Sequence, residues 1–382
     1  MKVIGRAQFI ALVIGIAILC LFYIPQSNVS APTVPQQEKP TLAFIPDVLI
    51  PPGEEPQTNT IKEIIEKTKD IIAPKPVFKG WSIRGVSSMK ETKDKICNPD
   101  NEEFVKKWVE KAKELGVNYI SVETPYDEIS CGSNITYTKL WVDTIHNEGL
   151  HVWHRHMPVS FEGIYGAKKD NTKNYLSIIQ DYILSNPKLF KEDDIFSPIP
   201  EPQNGGIQGI NTCQQNVCMF SDVTTFNAWL RDAMNVSRTA FGSIGLQDKI
   251  KVGYYGFDGY IVWGSNNNNW HGILEDATVK TMGNITIDHY PQAIGTSMKD
   301  DLDKLQQKYP KTQIIIGEWG SISKSSPAED QINEAMTAAE RPKVIGFNYW
   351  HLGMGGTESL ITDDFVSKPG FDAVKSHFMK QW

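Results

Sequence analysis

Two glutamates are placed where they could carry out acid–base chemistry on a bound substrate. Glu318 directly follows the apolar run Gln313–Gly317, so a buried strand would deliver it to the edge of a sheet. Glu201 lies between Pro200 and Pro202, which restrict the direction of its backbone. Cleavage of a glycosidic bond needs such a pair, with one carboxyl protonated to assist the leaving oxygen and one ionised to attack the anomeric carbon. The sequence therefore predicts glycoside hydrolysis by these two residues.

Eight short apolar segments alternate with helical patterns and could position the glutamates. They are Trp81–Gly85, Asn118–Val122, His151–Trp153, Asp194–Ser197, Ile250–Tyr254, Asn284–Asp288, Gln313–Gly317 and Val344–Tyr349. Eight β/α units in about 300 residues match a closed barrel in number and size. A doubly wound open sheet is the alternative, but no GxGxxG motif follows the first segment. We therefore predict an α/β fold, a (β/α)8 TIM barrel over residues 77–382.

Polar and aromatic residues follow most of these segments, and the active site of such a barrel lies at the C-terminal ends of its strands. The candidate substrate-binding residues are Arg84, His154, His156, Asn204, Tyr255, His289, Tyr290, Trp319 and Trp350. The rings of Tyr255, Trp319 and Trp350 could stack on sugars, and a place in the core is the alternative for each. For Arg84 the alternative is a structural ion pair.

The region from about Trp81 to the C-terminus resembles the cellulase-type superfamily of (β/α)8 retaining glycoside hydrolases, often called clan A. The resemblance rests on Glu201 in Pro-Glu-Pro and Glu318 in Gly-Glu-Trp-Gly. It implies that Glu201 is the acid/base and Glu318 the nucleophile. It also implies that Tyr290 donates a hydrogen bond to the nucleophile and that Trp350 forms a sugar platform.

Two further positions follow from the same resemblance. The family's histidine after strand three is matched by His154 or His156. The family's asparagine before the acid/base, which binds the sugar 2-OH, is replaced here by Pro200, and Asn204 could substitute for it. The expected substrate class is a β-linked oligo- or polysaccharide such as a glucan, mannan or xylan.

Two other functions remain open at this point. Residues i and i+2 of a strand share a face, so His154 and His156 could ligate one metal ion together with Asp288 and His289. This set is incomplete as a metal site, and we expect no metal or cofactor. A catalytically inactive, surface-anchored barrel that only binds carbohydrate is the non-enzymatic alternative.

The N-terminal residues predict export. Lys2 and Arg6 precede an apolar run over Phe9–Ile24, which predicts a signal anchor over 1–24, with a cleaved signal peptide as the alternative. Residues 25–76 are rich in proline and predict a linker with one short helical patch. We therefore expect a barrel outside the cell, attached to the membrane through the N-terminal helix.

Cysteines and overall charge fit an exported protein that binds a neutral partner. Cys213 and Cys218 are close enough to close a small loop, which leaves Cys97 and Cys131 to pair by elimination, although sequence does not fix connectivity. The 382 residues carry a net charge of −7, the opposite sign to a typical nucleic-acid binder. Carbohydrate is the expected partner, and the oligomeric state stays open.

Overall fold

The structure is a computed structural model that describes residues 77–125, 134–160, 162–166, 172–207, 213, 217–258, 272–290, 297–321, 328–353 and 358–380. These residues belong to one compact unit, Pro74–Trp382. The predicted anchor over 1–24 and the predicted linker over 25–76 lie outside them. Within the described ranges, no helix is both long enough and apolar enough to cross a membrane.

A single parallel sheet forms the centre of the described unit. Its strands are β1 (Ile83–Ser87), β2 (Tyr119–Glu123), β3 (His151–Arg155), β4 (Ile195–Ser197), β5 (Lys251–Val252), β6 (Phe257–Asp258), β7 (Asn284–Asp288), β8 (Gln313–Trp319) and β9 (Val344–Tyr349). Their order in the sheet is β5-β4-β3-β2-β1-β9-β8-β7-β6. The two ends of this order are therefore consecutive in the chain.

The sheet fits an eight-stranded barrel because β5 and β6 are two halves of one barrel strand. β5 pairs with β4, whereas β6 pairs with β7 on the other side. The four residues between the halves include Gly253 (φ 104°) and Gly256 (φ 67°), whose positive φ angles interrupt the strand. The predicted α/β barrel architecture is confirmed, with its fifth strand broken near the mouth.

Helices connect the strands in the alternation that the sequence predicts. Among the described residues they are α1 (Glu102–Glu114), α2 (Ile135–Asn147), α3 (Thr172–Ser185), α4 (Val223–Ser243), α5 (Asp276–Met282), α6 (Met298–Lys308), α7 (Ala328–Ala339) and α8 (Pro369–Phe378). α1 shows how these ends are set: the Asn101 side chain caps it by accepting from the Phe104 amide, and Gly116 (φ 91°) follows its last turn.

Two apolar layers lie on opposite faces of the sheet. The smaller layer contains Ile83, Tyr119, Trp153, Ile195, Tyr254 and Ile315, which come from strands all around the barrel and meet inside it. The larger layer packs the helices against the outside of the sheet. Because successive strand residues point to opposite faces, each strand contributes alternate side chains to the two layers. This alternation decides which residues can reach the barrel mouth.

The predicted Cys213–Cys218 disulfide is present, with the two Cα atoms 5.3 Å apart. Cys97 is also disulfide-bonded. Cys131 lies outside the described residues, so its pairing stays a prediction. The small disulfide loop lies in the long connection between β4 and α4, the segment that also carries Glu201.

Gly206 and Gly242 form a matched pair that tests the close packing of this connection. A Cβ at Gly206 would lie 1.8 Å from the Pro202 carbonyl oxygen, whereas one at Gly242, inside α4, would lie 3.6 Å from its nearest neighbour. We expect Gly206→Ala to lower the free energy of unfolding by about 1–3 kcal/mol. Gly242→Ala should raise it by about 0.5–1 kcal/mol, because alanine favours a helix interior. Urea unfolding measures both, and a Gly206→Ala protein as stable as the wild type would contradict the packing described.

Candidate active site

Five charged residues lie at or next to the C-terminal ends of two groups of neighbouring strands, and we call them the charged ring: Glu123 (β2), Arg155 (β3), Asp258 (β6), Asp288 (β7) and Glu318 (β8). Glu123 is in register with Arg155, and Asp288 is in register with both Asp258 and Glu318. Parallel strands in register place these side chains next to one another at the C-terminal ends, where barrel active sites lie.

Arg155 contacts three carboxyl groups, those of Glu318, Glu201 and Glu123. Its Nη1 donates to Glu318 Oε2 at 3.2 Å and its Nη2 donates to Glu201 Oε1 at 3.4 Å. Its Nε lies 3.9 Å from Glu123 Oε2. Burial disfavours the charged guanidinium, but the surrounding carboxylates, Glu318 and Asp288 first, raise the pKa of Arg155. The buried guanidinium of Arg155 therefore contacts both candidate catalytic glutamates.

Glu201 lies in a tight turn four residues after the end of β4. Its φ angle is 46°, in the left-handed region that non-glycine residues seldom adopt and that costs about 1–3 kcal/mol. The turn is held at both ends: the Glu201 amide donates to the Tyr255 carbonyl at 2.8 Å, and the Asn204 amide donates to the Glu201 carbonyl at 3.0 Å. The Asn204 side-chain amide donates to Glu201 Oε2 at 2.8 Å. The surrounding structure thus fixes a strained backbone so that the carboxyl faces the ring.

Glu318 faces Glu201 across a short gap. Carboxylate oxygens of Glu201, Asp288 and Glu318 all lie within 4.8 Å of one another. This is close to the separation of about 5–5.5 Å typical of retaining glycosidases and shorter than the range of about 6.5–9.5 Å typical of inverting ones. The Tyr290 hydroxyl donates to Glu318 Oε1 at 2.8 Å, which is the hydrogen bond that the resemblance implies.

The electrostatic surroundings separate the two glutamates into an acid and a base. Burial, followed by the charges of Glu162 and Glu318, raises the pKa of Glu201 well above its ordinary value. Burial also raises the pKa of Glu318, but Arg155 and the Tyr290 hydroxyl act in the opposite direction because both favour the ionised form. A proton shared by the pair is therefore held by Glu201, which leaves Glu318 ionised.

Asp288 is the third carboxyl of this centre. Its side chain is 3 % exposed, and neither of its oxygens has a hydrogen-bond partner among the described residues. Burial, and then the Glu318 charge, raises its pKa well above the ordinary value. The three carboxylates are spaced so that they could surround a cation.

His154 and His156 do not reach this centre, which corrects the prediction that they bind sugar or metal. The His154 ring packs on Phe190, with Nε2 3.5 Å from Asp194 Oδ2. His156 stacks on Tyr182 and Phe196, and burial lowers its pKa to about 3. Trp153 and Arg155 face inward on β3, so the two histidines face the helices.

Three more candidates lie in the outer layer for the same reason. The Trp319 ring packs against Phe347 and Tyr349, so it cannot serve as a sugar platform. His289 Nε2 pairs with Asp301 Oδ2 at 2.6 Å, and the Tyr255 hydroxyl donates to the Leu230 carbonyl at 2.6 Å. Each is next in sequence to a residue that faces the mouth or the barrel interior, and the prediction for each was wrong by one position in the strand.

Arg84 lies at the opposite end of the barrel. β1 runs two residues later than predicted, so Arg84 is its second residue and does not lie near its end. Its Nε donates to the Gly116 carbonyl and its Nη1 to the Trp81 carbonyl, at 2.9 and 3.0 Å. It therefore ties loop carbonyls together at the N-terminal face, which corrects its assignment as a substrate-binding residue.

Of the predicted ligands, Asn204, Tyr290 and Trp350 remain near the mouth, and all three are partly exposed. Trp350 follows β9 and its amide donates to the Trp319 carbonyl at 2.7 Å. Its role as a sugar platform stays a prediction. Arg155 and the unpartnered Asp288 are the residues that sequence reasoning missed as centres of the site. The alternation of side chains along a strand could have indicated Arg155. It lies between two histidines that face the helices, so its own side chain must face inward.

Comparison with known proteins supports the fold. No family model and no curated protein matches the sequence. Among solved structures, SrfJ from Salmonella typhimurium is 11% identical, with a TM-score of 0.55 over 80% of this chain and 76% of that one. A GH5_18 protein from Streptomyces cattleya in complex with GlcNAc is 10% identical, with a TM-score of 0.58 over 78% and 80%. A GH5-4 broad-specificity endoglucanase from Clostridium acetobutylicum is 13% identical, with a TM-score of 0.53 over 79% and 97%.

These likenesses, at low identity, confirm the predicted resemblance at the level of fold. The chain shares the (β/α)8 architecture of the cellulase-like clan A glycoside hydrolases.

Replacing Arg155 tests whether it balances the charge of this centre. Arg155→Met should lower the free energy of unfolding by about 3–5 kcal/mol at neutral pH, because it leaves buried carboxylates without their cation. The loss should shrink as the pH falls, since protonated carboxyls no longer need the guanidinium. Urea unfolding at several pH values measures this. Arg341→Met, which removes a surface pair with Asp303, should cost less than about 1 kcal/mol, and equal losses in the two variants would contradict the role given to Arg155.

Proposed function

We propose that this protein is a retaining glycoside hydrolase that cleaves a β-linked oligo- or polysaccharide, with Glu201 as acid/base and Glu318 as nucleophile. The observation that carries the proposal is the facing pair of carboxyls, whose oxygens lie within 4.8 Å. In the first step Glu318 attacks the anomeric carbon and Glu201 gives its proton to the leaving oxygen. In the second step Glu201 takes a proton from water, which attacks the glycosyl–Glu318 bond and releases the sugar.

The contacts of the two carboxyls support these roles. Tyr290 and Arg155 each donate to Glu318, which stabilises the ionised nucleophile. The Asn204 side-chain amide donates to Glu201 Oε2 and Arg155 Nη2 donates to Oε1 at 3.4 Å, so the carboxyl that would carry the proton is oriented through both oxygens. The partly exposed Trp350 provides an aromatic surface near the mouth on which a sugar ring could stack.

We also propose that the barrel works outside the cell, held by its N-terminal segment. Lys2 and Arg6 before an apolar run support export, and the Cys213–Cys218 disulfide suits an oxidising compartment. Protease added to intact cells should digest the barrel, and complete protection would contradict export.

Hydrolysis by the purified full chain tests the catalytic roles. The wild type should release reducing ends from at least one of a panel of β-glucans, mannans and xylans. Glu201→Gln should lower the rate about 10²- to 10⁴-fold, because an amide cannot donate the proton. Glu114→Gln, an exposed change on α1, is the matched control and should retain full activity. Binding without release by the wild type would support the inactive carbohydrate-binding barrel instead.

The pH profile tests the assignment of acid and base. Activity should fall as pH drops through the pKa of Glu318, which acts ionised, and fall again as pH rises through the pKa of Glu201, which acts protonated. Since burial raises both pKa values, both limbs should lie above those of free carboxyls. Tyr290→Phe removes a hydrogen bond that favours ionised Glu318, so the acidic limb should move to higher pH. An acidic limb that stays in place or moves to lower pH would contradict this.

A further inference from the structure

The starting observation is the buried carboxylate of Asp288, which lacks a hydrogen-bond donor. Its side chain is 3 % exposed and neither oxygen has a partner in the described part of the chain. Buried polar groups in proteins are nearly always paired, and leaving one unpaired is costly. One of its oxygens nevertheless lies within 4.8 Å of an oxygen of Glu201 and one of Glu318. The carboxylate is therefore directed at the catalytic centre without a partner there.

Two glycines make the space that this carboxylate occupies. A Cβ at Gly256 or at Gly317 would lie 2.6 Å from an Asp288 oxygen, closer than any side chain could approach. Gly256 belongs to the break between β5 and β6, and Gly317 belongs to β8, so both strands that flank Asp288 lack a side chain at this point. The two glycines thus leave the space that the Asp288 carboxylate fills.

The spacing of the three oxygens indicates the kind of ligand. Because no two of these oxygens are more than 4.8 Å apart, a ligand atom between them can lie within about 2.8 Å of each, within reach of an N⁺–H···O⁻ hydrogen bond. A primary ammonium group has three N–H donors, one for each carboxyl group.

The charge of the site is compatible with a further cation such as an ammonium group. Among the described residues, the cations at this end of the barrel are Arg155 and Lys93, which lies 3.9 Å from Glu123. The carboxyls there are Glu123, Glu201, Asp258, Asp288 and Glu318. The carboxyls outnumber the cations, so one more positive charge is accommodated. Arg155 lies 3.2 Å from an oxygen of Glu318 and 3.4 Å from an oxygen of Glu201, so it balances only part of this negative charge.

We propose that the sugar bound at the cleavage position carries a free 2-amino group, which Asp288, Glu201 and Glu318 hold as an ammonium ion. This inference rests on the proposed hydrolase function. C2 is bonded to the anomeric carbon that Glu318 attacks, so its substituent lies beside the reacting atoms. Each glutamate accepts with one oxygen and keeps the other for the chemistry. The substrate class is then a β-linked saccharide containing unacetylated amino sugars, and Asp288 determines the specificity.

Binding of monosaccharides to the full chain tests the ammonium site separately from hydrolysis. Glucosamine, glucose and N-acetylglucosamine are titrated calorimetrically at about pH 6, where an amino group is charged. We expect glucosamine to bind about tenfold more tightly than the other two, the gain from a charge-assisted hydrogen bond. Equal affinities for glucosamine and glucose would overturn the proposal, and this wild-type comparison decides without any variant.

Substitutions then locate the preference. Asp288→Asn should bring the glucosamine-to-glucose ratio close to one. Asp303→Asn removes the same charge from the exposed surface of α6, away from the mouth, and is the matched control, so it should keep the ratio. A ratio unchanged by Asp288→Asn would overturn the assignment to Asp288.

Cleavage of chitosan oligosaccharides and cello-oligosaccharides separates the two proposals. Faster cleavage of the chitosan oligosaccharides supports both. Equal cleavage of both kinds overturns the amino-sugar inference and leaves the hydrolase intact. Cleavage of neither, with glucosamine still preferred in binding, overturns the hydrolase and leaves the ammonium site.

Discussion

The site depends on one buried guanidinium. Arg155 contacts Glu201 and Glu318 through two different nitrogens, so both carboxyls are oriented by the same rigid, planar group. Without this cation, burying two carboxyls within 4.8 Å of each other would be strongly unfavourable. With it, one carboxyl can stay ionised while the other keeps a proton. In the proposed mechanism, the difference between acid and nucleophile follows from the donors to Glu318, which accepts hydrogen bonds from both Arg155 and Tyr290.

The barrel supplies the rest through strand register. Parallel pairing puts residues from strands distant in sequence side by side at one end, and the alternation of side chains assigns neighbours to opposite layers. Arg155 enters the mouth while His154 and His156 pack under the helices. The strained turn at Glu201 and the glycines beside Asp288 then adjust the mouth locally. Strain and unpaired charge are concentrated where chemistry is proposed, as is common at functional sites.

Much of the fold could be predicted from the sequence, because apolar periodicity and turn residues mark strands and helices directly. Glu201, Glu318 and Tyr290 were also placed at the mouth, where the structure has them, since each follows a well-defined segment; their catalytic roles stay a proposal. Most of the wrong predictions have one physical cause: a strand's period is two residues, so an error of one residue reverses the face. Trp319, His289 and Tyr255 fail in this way, and Arg84 fails because its strand begins two residues later. That Asp288 has no hydrogen-bond partner among the described residues depends on packing from three strands, which no local pattern reveals.

The stereochemistry of cleavage tests the central claim most directly. Proton NMR of the first sugar released from a β-linked substrate distinguishes the two anomers before they equilibrate. A facing pair of carboxyls within 4.8 Å predicts that the β-anomer appears first, because a covalent intermediate on Glu318 inverts the configuration twice. Initial release of the α-anomer would mean direct attack by water and would contradict the account.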